Sequence, residues 1–268
     1  MEEYYYNYAP TAAEAYGIEK KRRIARQKRH KRRKAVRKAT ALLVIAFIVA
    51  TFAGQTPVST ALLKARGCPD EIIEITKAHP GTFGNAWNWY ELEFQESSID
   101  ITKEVFQENI PNFQQWDKRW GYKHYGNGYM ALNGCGPTCL SMVYCGRTDN
   151  LDWNPLKMAQ WANDNGYYIE GIGTSWNLMD DGAQQLGLSV QTEVPSEENI
   201  REALQQDKTI ICIMNAGDFT STGHYIVLSE ITKHDRVKVN DPNSRWRSFR
   251  KWNVSTIAEQ ARQMWVYE

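Results

Sequence analysis

Apolar and polar positions divide the chain into four stretches. Residues 1–38 hold a Tyr-rich start (Tyr4, Tyr5, Tyr6 and Tyr8) and then a dense basic run with too few apolar positions to build a core, which predicts a disordered tail. From Ala39 to Leu63 no charge occurs, and residues 39–54 read ATALLVIAFIVATFAG. With Gln55 to Val58 at the interface, that run is just long enough to cross a bilayer core of about 30 Å as a helix, so residues 39–58 are expected to form a single transmembrane signal-anchor. Residues 59–109 alternate short helical patterns with polar linkers. Pro69 to Lys77 places Ile72, Ile73 and Ile75 on one stripe behind acids in the first turn, a second short helix is expected from Pro80, and residues 97–112 read as a connector.

From about Ile110 to the C-terminus the pattern is that of a compact domain. Residues 135–145 predict a helix with Pro137 in its first turn and Gly146 at its C-cap, followed by helices over 155–165 and 174–186 and one capped by Ser196. The period then changes. Residues 209–214 (TIICIM), 224–231 (HYIVLSEI) and 236–239 (RVKV) are short, β-branched and separated by turn residues, a last helix is expected over 253–262, and 264–267 close as a strand. Helices first and antiparallel strands afterwards define an α+β domain.

Charge sharpens the picture of the N-terminal part. The chain is nearly neutral, at +1, yet residues 1–38 carry 13 Lys and Arg against four acids and the remainder 19 against 27. Basic residues ahead of an apolar span stay cytoplasmic, which places the N-terminus inside and everything after the span outside the cell membrane, with anionic lipid as the partner of the basic tail. A cleaved signal peptide with a long n-region, leading to secretion, and a buried core helix behind a basic arm are the competing readings; the long n-region favours retention. The acidic remainder has no reason to attract nucleic acid.

Five cysteines, an odd number, leave at least one thiol without an intramolecular partner in an exported chain. Cys135 stands at a helix N-terminus between Gly134 and Gly136, where the dipole lowers a thiol pKa, a substrate backbone can approach, and the Cys135 amide can donate to an oxyanion. Among the histidines, His224 opens an apolar strand. If 224–231 and 236–241 form a hairpin with an odd register, in which paired numbers sum to 465 or 467, Asp241 lies opposite or diagonal to His224; an even register brings Asn240 there instead. The competing reading is that Asp241-Pro242-Asn243 is only a turn. No zinc-type spacing and no nucleotide loop occurs, so neither metal nor cofactor is expected. Cys212 reads as a buried hydrophobe, Cys68 and Cys145 as a possible pair or idle thiols, and Trp116, Trp120, Tyr125 and Trp176 as core rather than substrate groove.

The blocks Gln115-Trp116-Asp117-Lys118-Arg119-Trp120-Gly121, Tyr125-Gly126, Gly134-Cys135-Gly136-Pro137-Thr138, residues 171–176 (GIGTSW), residues 223–228 (GHYIVL) and Val239-Asn240-Asp241-Pro242 resemble, in order, the C39-like cysteine peptidases, relatives of the bacteriocin leader peptidases. The resemblance implies a papain-like fold, a peptide or protein substrate cleaved through a thioester, Cys135 as nucleophile, His224 as base, Asp241 as orienting carboxylate, and Gln115, with Gln114 as alternative, in the oxyanion hole. The leader peptidases are cytosolic domains fused to transporters, so their substrates are not expected here. A non-catalytic surface binding protein and a cell-wall amidase or acyl transferase are the alternatives.

Overall fold

The computed structural model describes residues 12–52, 56–79, 81–96 and 98–268, with the side chains of 12–15, 18 and 47–52 left aside. Tyr4 to Tyr8, Ala53 to Gln55 and Pro80 therefore lie outside the described residues. The chain divides into two compact units, 1–53 and 54–268.

The described residues of the first unit form one helix, α1 (Ala12–Phe52). This corrects the expected disorder of the basic segment from residue 12 onward: its Ala, Lys, Arg and Glu are strong helix formers, and propensity decides where no core competes. The expected span 39–58 is not shown as a membrane helix. Among the described residues no helix is long and apolar enough to cross a membrane, and the last part of the span falls on residues 53–55.

The second unit opens with α2 (Pro57–Ala65), α3 (Asp70–Ala78), α4 (Phe83–Trp87), α5 (Trp89–Phe94) and α6 (Thr102–Gln107). The α3 stripe is realised, with Ile72, Ile73 and Ile75 buried against Leu63, Cys68 and Ala86. That cluster also takes in Tyr122, Tyr129 and Ala131, so the lead-in shares a core with the domain that follows. Burying each Ile contributes up to about 2–3 kcal/mol. The docking is reinforced by Glu93, whose carboxylate accepts from Tyr129 Oη at 2.9 Å and pairs with His124 Nε2 at 2.9 Å, while Lys123 Nζ donates to the carbonyls of Glu93 and Gln95.

A hairpin of β1 (His124–Tyr125) and β2 (Gly128–Tyr129) leads through the single turn α7 (Met130–Asn133) into α8 (Cys135–Thr148), followed by α9 (Pro155–Asp164). Helix α8 runs past Gly146 and ends at Asp149, which is left-handed with φ 54°. Gly146 is not the cap; a Cβ there would sit 2.6 Å from the Asn109 carbonyl, so the glycine admits the connector instead. The helix expected over 174–186 is broken into a hairpin, β3 (Tyr168–Ile169) with β4 (Gly173–Thr174), a 3-10 turn at Trp176–Leu178 and α10 (Asp181–Gln185). Thr174 pairs with Tyr168, and the Ser175 hydroxyl caps the turn by accepting from Asn177 N–H, which stops a continuous helix.

The rest is a six-stranded antiparallel sheet in the order β5-β10-β6-β7-β8-β9, built from β5 (Val190–Glu193), β6 (Thr209–Met214), β7 (His224–Ile231), β8 (Arg236–Asn240), β9 (Lys251–Asn253) and β10 (Ala261–Tyr267). Helices α11 (Glu197–Gln205), α12 (Arg245–Phe249) and α13 (Val254–Gln260) interleave with the strands. All of β6 is buried because both sheet faces are covered. Ile211 and Ile213 meet Leu140 and Val143 of α8, while Ile210, Cys212 and Met214 meet Ile200, Leu204 and Ile257 of α11 and α13. The α+β class is as expected.

Candidate active site

The hairpin of β7 and β8 decides which side chain backs His224. Near its tip Ile231 pairs with Val237 and Glu230 with Lys238, an even register; beyond a bulge at Ser229, Leu228 pairs with Val239 and Val227 with Asn240, an odd one. The extra residue flips the face presented by every position after it. Asp241 is thereby diagonal to His224. Asn240 points the other way, donating through Nδ2 to the carbonyls of Ile110 and Pro111.

His224 Nε2 and Asp241 Oδ1 are 2.9 Å apart, both side chains buried. Asp241 is also a turn residue, since Oδ1 accepts from Asn243 N–H at 2.8 Å. Its Oδ2 accepts from Arg247 Nε of α12, and its own N–H donates to Ser248 Oγ. Burial alone would raise this carboxyl; the hydrogen bond and charge of His224, helped by Arg247, outweigh it and hold Asp241 below the usual carboxylate range. Asp241 thus forms both the turn contact to Asn243 and the contact to the His224 ring.

The other face of the imidazole meets Cys135. With Nε2 on Asp241, Nδ1 is the ring nitrogen left for the thiol, and the two groups favour each other's charged forms. Burial works against both charges, pushing the thiol up and the imidazole down. The bonds to Asp241 and Cys135 overcome it and raise His224 to about 9, and the bond and charge of His224, with backbone N–H groups of Tyr225 and Gly136, bring Cys135 below its ordinary value. The other four cysteines are internal controls. All are unpaired and buried, and burial raises every one: Cys68 to about 11 and Cys145 to about 12, with Cys139 and Cys212 also pushed well up. Cys68 and Cys145 sit in separate cores, so they form no pair.

The glycines flanking Cys135 are packing residues. A Cβ on Gly136 would lie 2.6 Å from Thr174 Cγ2, and one on Gly134 2.6 Å from the Met130 carbonyl; both glycines are buried, so neither opens the sulfur to a substrate as expected. Gly136 lets β4 come up against α8, where Thr174 Oγ1 bonds Tyr125 Oη at 3.0 Å. The sulfur opens instead into a cleft of about 430 Å³ bordered by Leu132, Asn133, Ile172, Trp176, Met214 and Arg262, among others. Trp120 and Tyr125 are core, as expected, but Trp176 lines this cleft.

The two glutamines lie on opposite sides of the centre. Gln115 is buried, and its Nε2 donates to the Ala131 carbonyl at 2.8 Å and the Leu132 carbonyl at 3.3 Å, on the turn just before Cys135. Gln114 Nε2 donates to the Asp241 carbonyl at 3.1 Å. Sequence reasoning missed three neighbours: Arg247 behind Asp241, Thr174 against Gly136, and His79. The last stacks on Trp116 at 4.8 Å, and burial chiefly lowers its pKa to about 4. Trp116 Nε1 in turn donates to the Asn243 carbonyl, so the lead-in reaches the Asp241 turn. Among the described residues no group of three or more His, Cys, Asp or Glu could hold a metal ion.

A thiol at the head of a helix, an imidazole electrostatically coupled to it and a carboxylate 2.9 Å from that ring come together on an α+β fold. The chain belongs to the Peptidase_C39 like family, whose model matches residues 107–268. Among solved structures it is similar to the peptidase domain of Streptococcus ComA, a bi-functional ABC transporter involved in a quorum-sensing pathway, at 14% identity over 50% of this chain and 90% of that one, with a TM-score of 0.37. No curated protein matches it.

Proposed function

We propose that the chain is a papain-like cysteine peptidase in which Cys135 is the nucleophile, His224 the proton carrier and Asp241 the orienting carboxylate. The observation that carries the reading is that the one cysteine bordering the cleft stands at the head of α8 and is electrostatically coupled to His224, whose ring is held at 2.9 Å by the buried Asp241. The thiolate attacks the scissile carbonyl carbon, and negative charge moves to the carbonyl oxygen. As that intermediate collapses, the carbon–nitrogen bond breaks and the imidazolium gives its proton to the leaving amine, forming a thioester. Water then attacks the thioester, returning its proton to His224 and releasing the thiolate.

The donors for the oxyanion are the Cys135 amide, which begins α8 and lacks an intrahelical acceptor, and Gln115. Gln115 takes precedence over Gln114 because it leans on the Ala131-Leu132 turn beside the sulfur. Its 3.3 Å bond to Leu132 is the weaker of the two and the one an oxyanion replaces. The test is hydrolysis of a mixed peptide library by the full chain. Gln115→Ala is expected to lower kcat by about 100-fold, the effect of removing one oxyanion donor, with little change in KM; unchanged turnover would remove Gln115 from the mechanism.

The reading extends to a membrane-held enzyme with its N-terminus cytoplasmic and its catalytic unit outside. What supports it is the uncharged run from Ala39 behind 13 basic residues, together with Leu42, Leu43, Val44 and Ile45, all exposed although they point around α1. The full chain should stay with the membrane fraction through an alkaline carbonate wash. Release into the wash would contradict the anchor.

A further inference from the structure

The cleft carries one permanent charge of its own. Of the side chains that border it, Arg262 is the only cationic one and none is an acid. Arg262 forms no ion pair among the described residues, and its side chain is exposed. Its position comes from an irregularity in β10. Ala261 pairs with Met214 and Gln263 with Ile213, so Arg262 is the extra residue of a bulge, a device that re-aims a side chain near sheet ends. The guanidinium is laid over the Trp176 ring, 5.0 Å from its centroid, and Trp176 is itself braced edge-on against the buried Trp265 at 6.0 Å. A cation held on an aromatic platform in the cleft that Cys135 also borders, with no acid among the lining side chains to neutralise it, is built to receive an anion from outside.

The sheet also gives the reach. Ala261, Met214 and His224 stand in one row across β10, β6 and β7. With strands about 4.8 Å apart, the Arg262 backbone lies about 10 Å from that of His224, and an extended peptide covers this in about three residues.

We propose that Arg262 is a specificity-determining residue that reads a substrate carboxylate, an Asp or Glu side chain or a chain-terminal carboxylate, within about three residues of the scissile bond. This rests on the peptidase reading above and names the class of peptide it favours.

The experiment uses the full chain and matched peptides: Glu against Gln at each of the three positions on either side of the bond, and a free against an amidated C-terminus at the same distance. Turnover is measured with the wild type, and binding with Cys135→Ala by anisotropy of labelled peptides. At one position, or at the free terminus, the acidic peptide is expected to exceed its neutral partner by about two- to fivefold in kcat/KM and in affinity. Solvent around the exposed guanidinium limits the gain to that range. Arg262→Gln should bring the ratio to about one, Arg262→Lys should keep part of it, and Arg262→Glu should favour Lys at that position. Turnover with no acidic preference, or a preference that survives Arg262→Gln, overturns the proposal while leaving a peptidase. Binding of acidic peptides that depends on Arg262, without cleavage by the wild type, supports the carboxylate site and removes the peptidase reading. Neither binding nor turnover overturns both.

Discussion

Cys135→Ala is expected to abolish peptide hydrolysis while leaving the chain folded. Removing the nucleophile of a triad costs on the order of 10⁶-fold in kcat, because the remaining members have nothing to activate. The fold should tolerate the change. Cys135 is half-buried at the head of α8, alanine is a good helix former, and Thr138 still bonds to Gly134 across the first turn. Circular dichroism and thermal unfolding should therefore match the wild type within a few degrees. Retention of hydrolysis by the alanine variant would move the chemistry elsewhere, and none of the four other thiols is fit to take it over, since burial holds all of them protonated.

Asp241→Asn is the second large effect. The amide keeps the shape but leaves one acceptor oxygen where the carboxylate has two, so it can receive Asn243 N–H or Arg247 Nε and not both, and it removes the charge that stabilises the His224 imidazolium. In a serine triad the same exchange lowers kcat by about 10⁴-fold through the wrong imidazole tautomer. A loss of about 10³- to 10⁴-fold is expected here. Stability should fall as well, because Asp241 is buried between two cations, and breaking a buried ion pair from one side costs about 3–5 kcal/mol. Urea unfolding separates the two results: a variant as stable as the wild type, or one with activity within tenfold of it, contradicts the role given to this carboxylate.

Much of this centre was legible in the sequence, for identifiable reasons. Pro137 in a first helical turn marks where α8 begins, so Cys135 could be placed at its head from local signals alone. The hairpin arithmetic that joined His224 to Asp241 needed only two β-branched runs and a short turn. It succeeded because the bulge at Ser229 converts an even register into an odd one before the strands reach His224. A bulge has no reliable local signature, and without it Asn240 would have stood behind the ring. The illegible parts are contacts between distant segments. Gly136 suggested an open approach to the sulfur, whereas it is filled by Thr174, 38 positions away in the chain. Arg262 was read as the end of a helix and is a bulged strand residue aimed over Trp176. The lead-in read as a separate stretch, yet Tyr122, Tyr129 and Ala131 belong to its core, and His79 stacks behind the Asp241 turn. The basic segment misled in another way: few apolar residues meant no core, but not the absence of a helix.

The most direct measurement is the rate of Cys135 alkylation by iodoacetamide as a function of pH, with the modified residue mapped by mass spectrometry and Asp241→Asn run alongside. The thiol is held down and the imidazole up to about 9, so the ion pair should exist between the lowered thiol pKa and about 9. Below the lowered thiol pKa the sulfur is protonated and the rate falls. Above about 9 the imidazolium is lost and the thiolate reacts as an ordinary one. The expected result is labelling of Cys135 alone at a pH below the range where an ordinary thiol ionises, with the acid limb moved upward in Asp241→Asn as the imidazolium is weakened. A Cys135 that stays unreactive until the pH nears an ordinary thiol pKa of about 8.5, or that titrates alike in both proteins, would contradict it.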